Sequence, residues 1–215
     1  MRRAYWPGIV LGFLAMAGLA AACSSLSEDQ CRQGDWAGIG QADGYAGYAM
    51  SRLEDHAEAC RKVGITPDAA AYGRGRQIGL RGYCTPARGF SEGRQGHSYA
   101  GVCPPGAAQA FMAAYNDGRI VYDAVTRLNT ASSARTSAMD RIQRLERQMR
   151  DAEAQMNASG TTEDRKTVLR GQITHLRRER REEIERARNA GINLREAERE
   201  VSDLRYRLQP RYPGW

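Results

Sequence analysis

The chain has 215 residues, 27 % of them charged and only 7 % aromatic, with 23 glycines, 5 cysteines and a formal net charge of +7. That length supports one modest core or two small ones, and such a cysteine set points to an oxidising compartment rather than the reducing cytosol. The positive charge is almost all arginine interleaved with glutamate, a solvated pattern that speaks against a nucleic-acid partner.

The chain opens Met1-Arg2-Arg3 and continues through an apolar run, GIVLGFLAMAGLAAAC, ending at Cys23. A charged start, a short apolar stretch and small residues before a cysteine make a secretory signal, and the run is shorter than the roughly 20 residues a membrane-crossing helix needs. Leu19-Ala20-Ala21-Ala22-Cys23 resembles the bacterial lipobox, although the leucine stands four places before the cysteine rather than three. The resemblance implies a signal peptide over 1–22, acylation of Cys23 with palmitate-type chains and a lipidated tether over 23–30. Ser24 after the cysteine implies sorting to the outer membrane, facing the periplasm. Each buried methylene of such an anchor contributes about 0.8 kcal/mol.

Residues 31–128 hold most of the glycine and the other four cysteines, Cys31, Cys60, Cys84 and Cys103. Four cysteines allow three pairings, and sequence alone does not choose among them. A helical hairpin returning the chain near its start favours Cys31 with Cys60 and Cys84 with Cys103. No CxxC occurs and the histidines lack metal-ligand spacing, so neither a metal ion nor a cofactor is expected.

In chain order, Trp36, Ile39, Tyr45 and Tyr48 supply apolar area among glycines whose cost, about 1 kcal/mol each inside a helix, needs close backbone packing to offset it. Ser51 to Glu54 forms a capping-box pattern for a helix running to Gly64, and Thr66-Pro67 starts another that buries Tyr72, Ile78, Leu80 and Tyr83. The stretch 82–104 reads as disulfide-stapled backbone with a turn over 85–89, too rich in glycine for an ordinary helix. YGRGRQIGLRGYC and FSEGRQGHSYAGVC look like two similar glycine-packed arms. Pro104-Pro105-Gly106 then begins an amphipathic helix carrying Phe111, Met112, Tyr115, Ile120, Tyr122 and Val125.

The motifs DWxxIGxxDGYxG, YxxGxxxGLRxYCTP, GFxxGRxGxxYxGVCP and AYNDGR, spread over about residues 29–128, resemble the bacterial lipoproteins grouped as DUF2799. The resemblance implies a small cysteine-bearing envelope lipoprotein and brings no activity with it.

From residue 129 onward the pattern changes. Ala138, Ile142, Leu145, Met149, Ala152 and Met156 recur at spacings of four and three, the seam of a coiled coil. Gly160 ends this helix and Thr161 or Thr162 caps a second, striped with Leu169, Ile173, Leu176, Ile184, Ala187, Leu194, Ala197, Val201, Leu204 and Leu208, with a kink or break near Gly191. The fold expected is therefore mainly α: a small disulfide-bearing glycine-rich helical domain over 31–128, an antiparallel coiled-coil hairpin over 129–209 and a tail over 210–215.

The function expected is that of an envelope lipoprotein serving as a structural or interaction module rather than an enzyme, held to the membrane by its lipid and meeting another envelope protein or itself through 132–208. The alternative is a binding module for an envelope glycan or lipid headgroup built on Trp36, Tyr45, Tyr72, Tyr99 and Tyr115 with His97 beside them. A hydrolytic site would have to use His56 or His97, for which the sequence offers no nucleophile elbow, HExxH or phosphate loop.

Overall fold

The computed structural model describes residues 25–215; the expected signal peptide and the expected lipidation site at Cys23 lie outside the described residues. Seven α-helices follow in order: α1 Glu28–Gln33, α2 Trp36–Ala46, α3 Arg52–Cys60 with a 3-10 turn Arg61–Val63, α4 Ala69–Tyr83, α5 Pro86–Arg94, α6 Pro105–Asn157 and α7 Glu163–Leu208. The first five and the start of α6 form a head, and the rest of α6 pairs with α7 as an antiparallel hairpin.

Local chemistry sets most boundaries. Ser27 and Gln30 form a reciprocal capping box on α1, and Asp35 caps α2 by accepting from the Gly38 amide. The box expected at Ser51 does not form, because Ser51 already has helical dihedrals and its hydroxyl caps nothing. The entry signal at Thr66-Pro67 is also displaced: Asp68 caps α4, accepting from the amides of Ala70 and Ala71. The threonine–proline entry operates instead at Thr85-Pro86, where Thr85 accepts from the Arg88 amide and Pro86 opens α5. Much of the stretch expected as stapled backbone, including its turn over 85–89, is therefore helical.

The disulfides join Cys31 to Cys60 and Cys84 to Cys103, each with Cα atoms 5.5 Å apart. The first ties α1 to the end of α3, and the second ties the start of α5 to the start of α6.

The head is a duplication. Helices α2 and α4 run parallel in close contact: a Cβ on Gly40 would overlap the Tyr72 carbonyl oxygen, one on Gly44 that of Arg76, and one on Gly79 that of Gln41. Helices α5 and α6 repeat this point for point. Gly89 lies against the Phe111 carbonyl, Gly93 against that of Tyr115, and Gly118 against that of Phe90. Both first helices give way to a glycine with φ 78°, Gly47 at the cap of α2 and Gly96 just after the cap of α5, and onto these press the rings of Tyr83 and Tyr122. The repeat is thus GQADGYAG with GFSEGRQG, and Gly79 to Tyr83 with Gly118 to Tyr122, a different register from the arms compared in the sequence.

Close backbone approach explains several departures from the expected burial. Tyr72, Leu80 and Tyr83 are buried, but the glycine face of α4 turns Ile78 outward to 51 % exposure. Tyr45, Tyr48, Ile120 and Tyr122 are likewise exposed.

Helix α6 passes unbroken through the compositional change at 128–129. The seam expected along it holds, with Ala138, Ile142, Leu145 and Ala152 buried against α7 residues including Leu169, Ile173 and Leu176. Helix α7 is continuous through Gly191, with no kink ending it there; at 1.5 Å per residue its 46 residues span roughly 70 Å. Ile184 lies outside the seam, its expected place taken by Glu183, which is buried. Residues 210–215, expected as a tail, are packed on the second repeat: the Tyr212 ring stacks 3.9 Å from that of Phe90, and Trp215 meets the same ring edge-on. Leu204 and Leu208 join Phe90, Ala114 and Val121 in one core cluster, so the return helix completes the head.

Candidate functional site

Each repeat carries an acid one residue before its second glycine, Asp43 in α2 and Glu92 in α5, and each acid holds a histidine. In the first repeat the arrangement is closed. Asp43 Oδ2 lies 2.7 Å from His56 Nε2 and accepts from the Tyr72 hydroxyl at 2.7 Å, while His56 Nδ1 is 2.8 Å from Ser25 Oγ. His56 is 1 % exposed with both ring nitrogens engaged, so it is inaccessible to a substrate. Burial, reinforced by the hydrogen bond to Asp43, pushes the Tyr72 phenol far above its usual range. The network fastens the segment around Ser25 and the buried Leu26 to α2, α3 and α4. Ser25 and Leu26, expected as part of a tether, are therefore packed into the head, while residues 27–30 form an exposed helical turn at its surface.

In the second repeat the arrangement is open. Glu92 is buried and receives His97 Nδ1 at 2.9 Å and pairs with Arg88 at 2.9 Å. The His97 side chain is 55 % exposed, and its Nε2, which has no partner among the described residues, stands at the wall of a cleft of about 600 Å³. Arg52, Asp55, Tyr48, Tyr83 and Ser98 share that cleft. The Arg88 guanidinium lies over the rings of Tyr45 and Tyr83 at 5.6 and 5.8 Å, and the Tyr115 hydroxyl donates to the His97 carbonyl. Burial, with the nearby Glu92 charge, pushes the Tyr83 phenol up to about 12. A carboxylate-oriented imidazole beside two guanidiniums can accept or donate hydrogen bonds to a polar ligand.

The aromatic residues expected to form a platform do not come together. Trp36 and Tyr72 are buried in the first core cluster, while Tyr99 and Tyr115 pack around Phe111 in another. Only Tyr45 is prominently exposed, and it stands under Arg88. Their area went into cores because the glycine-faced helices supply few other large side chains. Sequence reasoning missed Asp43, Glu92 and Arg88; the available signal was the shared pattern of glycine, two residues, acid, glycine.

The model of a protein family described as of unknown function, DUF2799, matches residues 35–120. This segment is similar to DUF2799. The DUF2799 match begins at the cap of α2 and ends two residues before Tyr122, so it covers nearly the whole duplicated pair and leaves most of the hairpin outside. Both acid–histidine pairs fall inside the DUF2799 segment. No curated protein and no solved structure matches the chain. Among the described residues, no helix is long and apolar enough to cross a membrane.

Proposed function

We propose that the chain is an envelope lipoprotein, anchored through Cys23 at the outer membrane, that serves as a structural or protein-interaction module whose arm makes the contact. The observation that carries this reading is a groove of about 960 Å³ along the middle of the hairpin, floored by Ala131, Ala134, Ala138, Ala190 and Ala197. Alanines at alternate seam positions, Ala131 and Ala138 on α6 and Ala190 and Ala197 on α7, with exposed Ala134 beside them, leave room where leucines would fill the space, and such an open groove on a rigid hairpin accepts an amphipathic helix from another envelope protein or a second copy. Because Ser25 and Leu26 are packed into the head, an acylated Cys23 would hold that head directly at the membrane surface.

A photo-crosslinking residue at Ala134 or Asn193, both exposed in the groove, tests the reading in cells. Discrete adducts are expected from these sites and none from the head position Asp29. Absence of adducts from the arm, or the same adducts from Asp29, would remove its support.

One observation favours a second reading, binding of a small polar envelope ligand such as a glycan: the uncommitted His97 Nε2 on the open cleft. His97→Gln is then expected to abolish glycan-induced shifts in the NMR signals of Arg52 and Arg88. Shifts that persist in the variant would rule the cleft out.

A further inference from the structure

The opposite face of the hairpin carries a different feature. The seam runs through Ala131, Arg135 and Ala138 on α6 and through Leu176, Arg180 and Glu183 on α7, so arginines occupy two positions where a coiled coil ordinarily buries apolar groups. Arg180 is paired with Glu146 at 2.8 Å and Glu183 with Arg186. Among the described residues, Arg135 has no such partner. Together with Arg180, Arg188 and Arg195 it lines a pocket of about 440 Å³ that contains no carboxylate. Among the described residues, Arg135, Arg188 and Arg195 make no ion pair.

The geometry brings two of these charges together. A Cβ on Gly191 would lie 3.9 Å from Arg135 Nε and 3.8 Å from an Arg195 terminal nitrogen, so guanidinium groups from the two helices converge over one glycine. Like charges directed at one point from two helices repel, and an anion between them relieves the repulsion. The walls beside them are apolar, with Met139 44 % and Ile184 37 % exposed. A cluster of planar, doubly donating cations next to an apolar strip matches a phosphate attached to a hydrocarbon chain.

We propose that this arginine pocket binds the phosphate of an anionic lipid headgroup, with Arg135 and Arg195 as its principal donors and Met139 and Ile184 against the acyl chain. The site differs from the aromatic platform considered in the sequence and from the His97 cleft. It deepens the envelope reading, resting on it only for where such a lipid is met; binding itself is measurable whatever the compartment, so the two can fail separately.

Calorimetric titration of the full chain uses dihexanoyl phosphatidylglycerol, dihexanoyl phosphatidylcholine and inorganic phosphate as probes. The anionic lipid is expected to bind in a salt-sensitive manner, at least tenfold more tightly than either the zwitterionic lipid or phosphate. Each guanidinium contributes roughly fivefold, from about 1 kcal/mol per basic residue near an anionic surface, so Arg135→Gln with Arg195→Gln weakens binding about 25-fold. The double variant is expected to melt no lower than the parent, because it removes a repulsive pair, and the exposed Arg188→Gln gives an independent fivefold measure. No binding, equal binding of the two lipids, or unchanged binding by both variants would overturn the proposal. Phosphate binding as tightly as the anionic lipid would likewise overturn it, by showing a free-anion site.

Discussion

The two repeats of the head share a backbone and differ in what surrounds their acids. Asp43 holds His56 and Tyr72, and the other nitrogen of His56 meets Ser25, so this repeat is fastened to the chain's own N-terminal segment. Glu92 holds His97 at the edge of a cleft, and its repeat is completed from the other end of the chain by Leu204, Leu208 and Tyr212. The difference teaches that the glycine framework is the constant part of this fold. The groups docked around each acid decide whether its histidine is structural or available.

The largest expected effect breaks the shared framework. Gly44→Ala and Gly93→Ala each place a methyl group into the facing carbonyl, of Arg76 and Tyr115 respectively, where backbone cannot give way easily. Overpacking of this kind costs about 3 kcal/mol or more, so chemical denaturation should show similar, large losses for both variants if the two pairs are equivalent.

Next comes the asymmetry between the histidines. His56→Ala takes a buried ring partner from Ser25 and leaves half-buried Asp43 with Tyr72 alone, and is expected to cost about 1–3 kcal/mol, whereas His97→Ala, at an exposed position with Arg88 still on Glu92, should cost about 0.5 kcal/mol or less. Equal losses in urea melts would erase the distinction between closed and open repeats.

Alkaline pH sharpens the comparison at the junction of the two repeats. Tyr83, pushed up to about 12, binds its proton more tightly folded than unfolded, where a tyrosine titrates near 10. The corresponding stability is fully present below pH ~10 and is lost as pH rises through about 12. Tyr83→Phe should flatten that part of the stability-against-pH curve. The smallest effect is a control: Gly73→Ala, whose new methyl would lie 4.0 Å from the Met50 Cε, should raise stability by roughly 0.5–1 kcal/mol because this glycine makes no close backbone contact.

These contrasts also show what was readable from the sequence. The coiled-coil seam was legible because Ile142, Leu145, Leu169 and Ile173 keep a strict period, whereas the four cysteines left three pairings open, of which the one favoured by a chain returning on itself is the one that forms. Helix α5 was not, since a rule that charges every glycine for lost helix propensity misses Gly89 and Gly93, whose lack of a side chain is what permits the contact with α6. The duplication was hidden because it is written in glycines, one acid and one tyrosine while most surrounding residues differ. The docking of residues 210–215 depends on Phe90, more than a hundred positions away, and no local period announces it.

The most direct test of the central claim is chemical footprinting of the three histidines with diethyl pyrocarbonate, read by mass spectrometry on the folded chain. The structure predicts modification of His97 in the second repeat and of exposed His175 on the arm, with His56 protected until the head unfolds. Modification of His56 at the rate of His175, or protection of His97 alongside His56, would contradict a closed first repeat and an open second one.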